Sequence, residues 1–206
     1  MSMTPGEAAY DEYMSDLYEE HKVEAVEEFT DERLQSYYVA NKLLAKPASN
    51  ALSQARTLVD LNPTAAFVFA AIAVEVGLKT TSLKPIVHGL VHTESVAALV
   101  TDLAILHSMD RYRELLLQVL SDHGGVNLGV FKRARVNRSL WEEIKEVQRT
   151  RNRIVHRAEV VSKNEADVAL GVASAILEEI FPAVVKKMGL HLHEGFRICD
   201  ASGCND

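Results

Sequence analysis

Residues 64–79 form an apolar run, TAAFVFAAIAVEVGLK, whose hydrophobic side chains would cover almost every side of an α-helix. A helix that is apolar all round has to be buried on all sides. The run therefore predicts a central helix around which other helices pack. The preceding helix is expected to close at Asn62-Pro63, because the residue before a proline disfavours helical backbone.

The rest of the chain also favours helix. Apolar residues recur at steps of three and four almost throughout, and the 206 residues include only five prolines and ten glycines. The all-α class is therefore expected. Ser162 and Glu165 have capping-box spacing and predict the start of a last helix that kinks at Pro182 and ends at Gly189. A break is expected over residues 81–95, which include Pro85 and Gly89.

Three regions are predicted along the chain. Residues 1–47 would form acidic N-terminal helices that pack on or extend the bundle, 48–190 the helical bundle, and 191–206 a tail. The first 33 residues hold eleven acidic side chains against two basic ones, a net charge of −9. This region is a candidate partner-facing element, or a shield for a basic site.

Positive charge is concentrated later in the chain. The whole protein carries −7, yet residues 131–157 hold nine basic side chains against three acidic ones. Such a segment can meet phosphate even in an acidic protein. The predicted RNA-binding residues are Lys132, Arg133, Arg135, Arg138, Arg149 and Arg157. The alternative is a solvated loop and helix face.

One arginine interrupts a pattern within this segment. Apolar residues at positions 140, 144, 147, 154 and 158 define one buried stripe of a helix, and position 151 would continue it. Arg151 stands there. A charge removed from water needs a partner or a wet cleft. The alternative is an arginine that reaches solvent from the edge of the stripe.

Two neighbours of Arg151 suit chemistry on a phosphate. Asn152 and His156 are four residues apart, so the amide could orient the imidazole. Arg151 and His156 are separated by about 140° around the helix. A second copy of the helix could bring the matching group, so the spacing indicates a dimeric site. Histidine as acid or base and arginine as phosphate ligand suit RNA cleavage by the 2′-hydroxyl without a metal.

The stretch RNRIVH, with Arg151 and His156 at its ends, resembles the R-x4-6-H motif of the HEPN superfamily, the higher eukaryotes and prokaryotes nucleotide-binding domains. The following polar link and amphipathic helix, and the apolar helix with an embedded glutamate, are also similar to that family over roughly residues 48–188. The resemblance implies an up-and-down helical bundle, usually dimeric, and a metal-independent endoribonuclease in toxin–antitoxin, anti-phage or RNA-processing systems. It implies His156 as acid or base, Arg151 as phosphate stabiliser and Asn152 as orienting residue. Some members of the family bind without cleaving.

Glu75 and Arg153 are predicted to support this site. Glu75 is the only ionisable residue between Ala65 and Leu78 and could pair with a basic residue of the motif such as Arg151. The alternative is an exposed pair with Lys79, four residues on.

No cofactor or metal is expected, and the predicted partners are RNA, a second copy of the chain and an antitoxin or other protein. A non-cleaving module that binds nucleotide, RNA or protein stays open. So does a zinc-dependent assembly protein, because the tail holds His191, His193, Cys199 and Cys204. The acidic N-terminus shows no signal peptide, and the apolar run is shorter than the roughly 20 residues of a membrane span. A cytoplasmic protein is therefore expected.

Overall fold

The computed structural model describes residues 31–91, 95–97, 113–122 and 124–200, together with Tyr13, Ser15 and Leu99. These residues are mostly helical, which confirms the all-α class, and one small two-stranded sheet follows the last helix. Most of the first 30 residues of the predicted acidic N-terminal helices, 1–47, lie outside the described residues.

The helices cover residues 31–40 (α1), Lys46–Leu58 (α2), Pro63–Gly77 (α3), Lys84–Leu90 (α4), Arg113–Asp122 (α5), Leu140–Arg157 (α6), Lys163–Ser174 (α7) and Phe181–Lys187 (α8). Two π-helical turns, Leu78–Leu83 and Ala175–Ile180, join α3 to α4 and α7 to α8. The strands are Leu190–His193 (β1) and Arg197–Asp200 (β2), linked by a 3-10 turn at Glu194–Phe196.

Helix α3 is the centre of the bundle, as its composition predicts, and packs against α2, α6 and α7. Small side chains make this contact close: Ala66, Ala70 and Ala73 are fully buried. At Gly77 a Cβ atom would lie 3.3 Å from the side chains of both Ile176 and Leu177. The absence of a side chain there lets α3 approach the π-turn after α7.

The break predicted over 81–95 is wrong for its first half. The chain stays helical from Pro63 to Leu90, and Val91 is the first extended residue. Proline lacks an N–H and its ring crowds the carbonyl four residues earlier, so a helix can continue through it only with a local adjustment. The π-turn directly before α4 provides that adjustment for Pro85. A second π-turn precedes Pro182, where a kink was predicted.

Tyr38 donates a hydrogen bond to a carbonyl oxygen that lacks its usual N–H donor because residue 85 is a proline. In a regular α-helix the N–H of residue 85 would donate to the carbonyl of Thr81. The Tyr38 hydroxyl donates to that oxygen instead, at 2.7 Å, and the tyrosine is completely buried. Burial, followed by the neighbouring Tyr37, raises the pKa of Tyr38 above its ordinary value. The phenol therefore stays a donor, and this bond ties α1 to the π-turn.

Capping boxes begin both α6 and α7. The box predicted from Ser162 and Glu165 is confirmed: each residue's backbone N–H donates to the other's side chain, at 2.8 and 3.3 Å. Ser139 and Glu142 form the same arrangement at the start of α6. The backbone N–H and hydroxyl of each serine lower the pKa of the paired glutamate.

The C-terminal region differs from the predicted tail. Residues 190–200 form an antiparallel hairpin in which Leu190 pairs with Asp200 and His191 with Cys199. Leu190 and Ile198 are buried, and the Ile198 N–H donates to the Lys42 carbonyl at 3.0 Å. The hairpin belongs to the packed body because its apolar side chains complete the core beside α8.

Two continuous helical stretches, Pro63–Gly89 and Lys163–Lys187, are long and apolar enough to cross a membrane. The first stretch is longer than the apolar run considered in the sequence analysis, because the helix continues through Pro85. More than half of the most apolar part of each is buried inside the bundle, as in the core helices of soluble proteins.

Replacing Tyr38 with phenylalanine is expected to lower the free energy of unfolding by about 1–2 kcal/mol, because the Thr81 carbonyl loses a donor while remaining buried. Urea denaturation measures this. Tyr37→Phe, at the adjacent half-buried position, is the matched control and should change stability by less than about 0.5 kcal/mol. Equal losses in the two variants would contradict the role of the Tyr38 bond.

The double variant Glu142→Gln, Glu165→Gln is expected to be less stable than the wild type near neutral pH. A carboxylate whose pKa is lowered by folding contributes stability above its unfolded pKa of about 4.3. That contribution disappears as pH falls through the lower folded value. The stability difference between the two proteins should therefore shrink below about pH 4. A difference that does not vary with pH would contradict this.

Candidate functional site

Helix α6 carries the residues predicted for catalysis in its last two turns. Its start is fixed by the Ser139 capping box, and its buried face includes Leu140, Ile144 and Val147. The helix stops at Ala158, which adopts a left-handed conformation with φ of 53° and donates its N–H to the Ile154 carbonyl. The end of α6 is thus a defined position on the surface.

Arg151 does not occupy the buried stripe, so that prediction is wrong. Thr150 continues the stripe between Val147 and Ile154 and is 5% exposed, whereas Arg151 is half-buried at its edge. Steps of three and four from Val147 both fit a helical stripe, so the pattern allowed either residue. The Thr150 hydroxyl accepts a hydrogen bond from Arg153 at 2.9 Å, and burial of this small polar side chain is therefore compensated.

Only two of the three predicted catalytic residues, Arg151 and Asn152, contact each other at this helix end. Arg151 Nη1 donates to Asn152 Oδ1 at 3.2 Å, and Asn152 and His156 are exposed. The amide therefore contacts the arginine rather than the imidazole it was predicted to orient. His156 makes no hydrogen bond or ion pair with another described residue. Five residues separate Arg151 from His156, about 7.5 Å along the axis.

The two predicted supporting residues have different surroundings. Arg153 lies 3.1 Å from Glu159 (Nε to Oε2) and joins the helix end to the link before α7. Glu75 is half-buried on α3, and within the described part of the chain it forms no ion pair with Arg151 or Lys79. Neither pairing proposed for Glu75 is formed in a single chain.

Arg133 was predicted to bind RNA, and the structure places it inside the fold. It forms a bidentate ion pair with Glu143, with Nε–Oε2 and Nη2–Oε1 distances of 2.9 and 2.5 Å. The two side chains are 18% and 6% exposed. The hydrogen bond to Glu143 raises the pKa of Arg133. Its guanidinium lies against α7 at Gly171, where a Cβ atom would be 2.0 Å from Nη1.

The other predicted RNA-binding residues are exposed. Arg149 has 65% of its side chain exposed and a long contact of 3.8 Å with Glu146. Arg135 lies in the loop before α6 with a left-handed backbone, φ of 65°. The residues that present positive charge to solvent are therefore Lys132, Arg135, Arg138, Arg149 and Arg157.

Glu143 is the buried charged residue of this helix that the sequence pattern was not used to identify. The buried charge on the stripe of α6 is this carboxylate, not the guanidinium of Arg151. The signal was present, because position 143 lies three residues after Leu140 and four before Val147. A carboxylate at such a position requires a basic partner.

A cleft of about 290 Å³ opens between α3, α6 and α7. Phe67, Val147 and Val168 form its apolar wall, and Arg138, Asn164 and Glu165 contribute polar groups. Arg151 and His156 do not line it. The predicted catalytic residues thus lie outside this cleft, with Asn152 and His156 exposed and Arg151 half-buried.

Comparison of the chain with protein-family models, curated proteins and solved structures finds no match. The HEPN resemblance stays a prediction from the motif and its flanking helices.

Removing the partner of Glu143 tests the importance of the buried pair. Arg133→Ala is expected to lower the free energy of unfolding by about 3 kcal/mol, because it leaves a buried carboxylate unpaired. Lys132→Ala, an exposed neighbour, is the control and should cost less than about 0.5 kcal/mol. The double variant Arg133→Met, Glu143→Leu should recover most of the loss, since an apolar pair needs no counter-charge. Urea denaturation of the four proteins measures these differences.

Proposed function

We propose that the end of α6 binds RNA and cleaves it without a metal ion, as an endoribonuclease of the HEPN type. The observation that carries this proposal is that Asn152 and His156 are exposed, and Arg151 is half-buried and hydrogen-bonded to Asn152, within two turns of one helix. Arg149, Arg153 and Arg157 belong to the same helix end, and residues 147–158 contain no acidic side chain. Glu146 and Glu159, on either side of this range, contact Arg149 and Arg153, which leaves Arg157 among these three arginines without an acidic partner in the described part of the chain. Concentrated positive charge on an otherwise acidic chain favours a polyanionic ligand at this surface.

Each residue has a role in the proposed reaction. A base removes the proton of the 2′-hydroxyl, the O2′–P bond forms, and the P–O5′ bond breaks as an acid protonates the leaving oxygen. The products are a 2′,3′-cyclic phosphate and a free 5′-hydroxyl. His156 supplies acid or base catalysis, and Arg151 stabilises the additional negative charge on the phosphorane oxygens. The Asn152 amide positions the Arg151 guanidinium, to which it is hydrogen-bonded.

The active form in this proposal is a homodimer. The base at the 2′-hydroxyl and the acid at the leaving 5′ oxygen act on opposite sides of the phosphorus, so one imidazole cannot do both at once. In addition, Arg151 and His156 point in directions about 140° apart around the helix. Two copies of α6 facing each other would place two imidazoles and two guanidinium groups in one cleft. The proposal includes a cytoplasmic location, with a toxin, anti-phage or RNA-processing role.

A second candidate is a module that binds RNA or nucleotide without cleaving it. The observation that favours it is the Arg151–Asn152 hydrogen bond, which leaves His156 without an orienting partner among the described residues. In this case the acidic residues 1–33 would face a protein partner or an antitoxin.

Purified protein is expected to cut single-stranded RNA in the presence of EDTA and to leave 2′,3′-cyclic phosphate ends. His156→Ala should reduce the rate by about 10²–10⁴-fold, because it removes the proton-transfer group. Arg151→Ala should also reduce it, whereas Lys186→Ala removes an exposed positive charge from α8 and should have little effect. Gel analysis of the fragments and their ends measures these outcomes.

The same experiment separates the two candidates. Cleavage that His156→Ala leaves unchanged contradicts the proposed mechanism. RNA retained intact on a filter, with an affinity that falls as salt rises, supports the binding module. In that case Arg157→Ala should weaken retention more than Lys186→Ala does. An absence of RNA binding contradicts the first candidate, and an absence of both RNA and nucleotide binding contradicts both.

A further inference from the structure

The C-terminal hairpin brings together three side chains that can bind a metal. His191 and His193 lie on the same face of β1 because they are two residues apart, and Cys199 pairs directly with His191 across the sheet. The two imidazole rings are in edge contact, with centroids 4.9 Å apart. The candidate donor atoms of all three residues lie within 4.8 Å of one another. Strand pairing therefore brings together three of the four possible zinc ligands noted in the sequence.

The hairpin is firmly held, so the cluster is positioned before any ligand arrives. Leu190 and Ile198 are buried in the core, and Cys199 is 7% exposed. The Ile198 N–H is hydrogen-bonded to the Lys42 carbonyl. Both histidines are half-buried, so their rings are accessible from solvent. A site built on paired strands loses little entropy when it binds.

Two imidazoles and a thiolate favour zinc among the common cations. Zinc binds histidine nitrogen at about 2.0–2.1 Å and cysteine sulfur at about 2.3 Å in tetrahedral geometry. Those lengths correspond to donor separations of about 3.3–3.6 Å. The cluster would have to contract by about 1 Å, which side-chain rotation can supply. Magnesium and calcium prefer oxygen ligands and do not suit this set.

The oxidation state of Cys199 decides whether the cluster can act. Cys199 is disulfide-bonded in this structure, and the only other cysteine of the chain is Cys204. The sulfur ligand of zinc is the thiolate, which a disulfide does not offer. We propose that the reduced chain binds one Zn²⁺ through His191, His193 and Cys199, and that the disulfide prevents this binding.

The redox step is thiol–disulfide exchange with a dithiol. One thiolate of the dithiol attacks the protein disulfide, and the second closes the reagent into its own disulfide. Two electrons and two protons pass to the protein, which now holds two thiols. Cys199 then releases its proton on binding Zn²⁺, and water fills the fourth position. Exchange with a small-molecule disulfide, whose two thiols leave reduced, reverses the sequence and releases the metal.

Cobalt(II) titration of the full chain tests the proposal, because tetrahedral Co²⁺ bound to a thiolate gives a charge-transfer absorption band. Protein reduced with a phosphine is expected to bind one equivalent, which Zn²⁺ then displaces. His191→Ala, His193→Ala and Cys199→Ser should each weaken binding by at least the roughly 10- to 100-fold that loss of a supporting residue costs. His156→Ala, at an exposed histidine of α6, is the control and should bind like the wild type.

Two further measurements keep the test decisive. Cys204→Ser leaves Cys199 as a thiol and should bind Co²⁺ without reductant, whereas the oxidised wild type should not. Zinc should raise the melting temperature of the reduced wild type and leave that of His191→Ala unchanged, which also reports folding of the variant. A reduced chain that binds no Co²⁺, or equal binding by oxidised and reduced chains, overturns the proposal. RNA cleavage in EDTA is independent of all these outcomes.

Discussion

The ion pair between Arg133 and Glu143 is the interaction on which the surface of this protein depends. It connects the loop before α6 to the buried face of α6, and Gly171 lets the guanidinium lie against α7. Each charge is largely removed from water, so neither is tolerable without the other. A backbone hydrogen bond also joins the same loop to the start of α6: the Leu140 N–H donates to the Phe131 carbonyl. The loop before α6, α6 itself and α7 are thereby held in one arrangement.

The bundle behind this pair is built from helices that approach closely and continue through prolines. Alanines and Gly77 on α3 leave little space between it and its neighbours, so the core depends on many short-range contacts. The π-turns before Pro85 and Pro182 keep both long helices continuous. Tyr38 donates to the carbonyl that Pro85 cannot serve. A rigid bundle of this kind presents α6 and the hairpin as fixed platforms.

Two surfaces with different chemistry result from this arrangement. The end of α6 exposes guanidinium groups, an amide and an imidazole, a set suited to a phosphodiester. The hairpin presents imidazoles beside a cysteine, a set suited to a soft cation. The proposed RNA reaction needs no metal, and the proposed zinc site needs no RNA. Arg133, one of the residues predicted to bind RNA, is engaged by Glu143 and only 18% exposed, whereas Arg138 and Arg157 are exposed.

The sequence by itself determined the features that depend on residues three or four positions apart. These include the helical class, the central position of α3 and the cap at Ser162, whose partner Glu165 is in the same turn. Only the tertiary structure decided that Thr150 rather than Arg151 is buried, that Tyr38 reaches Thr81, and that His191 meets Cys199. Each of these depends on which face of an element is covered, or on which residues far apart in the chain come into contact. Helical periodicity is compatible with more than one such arrangement. Local hydrogen bonds are set by neighbours in the chain, whereas a buried charge finds its partner only when separate elements pack.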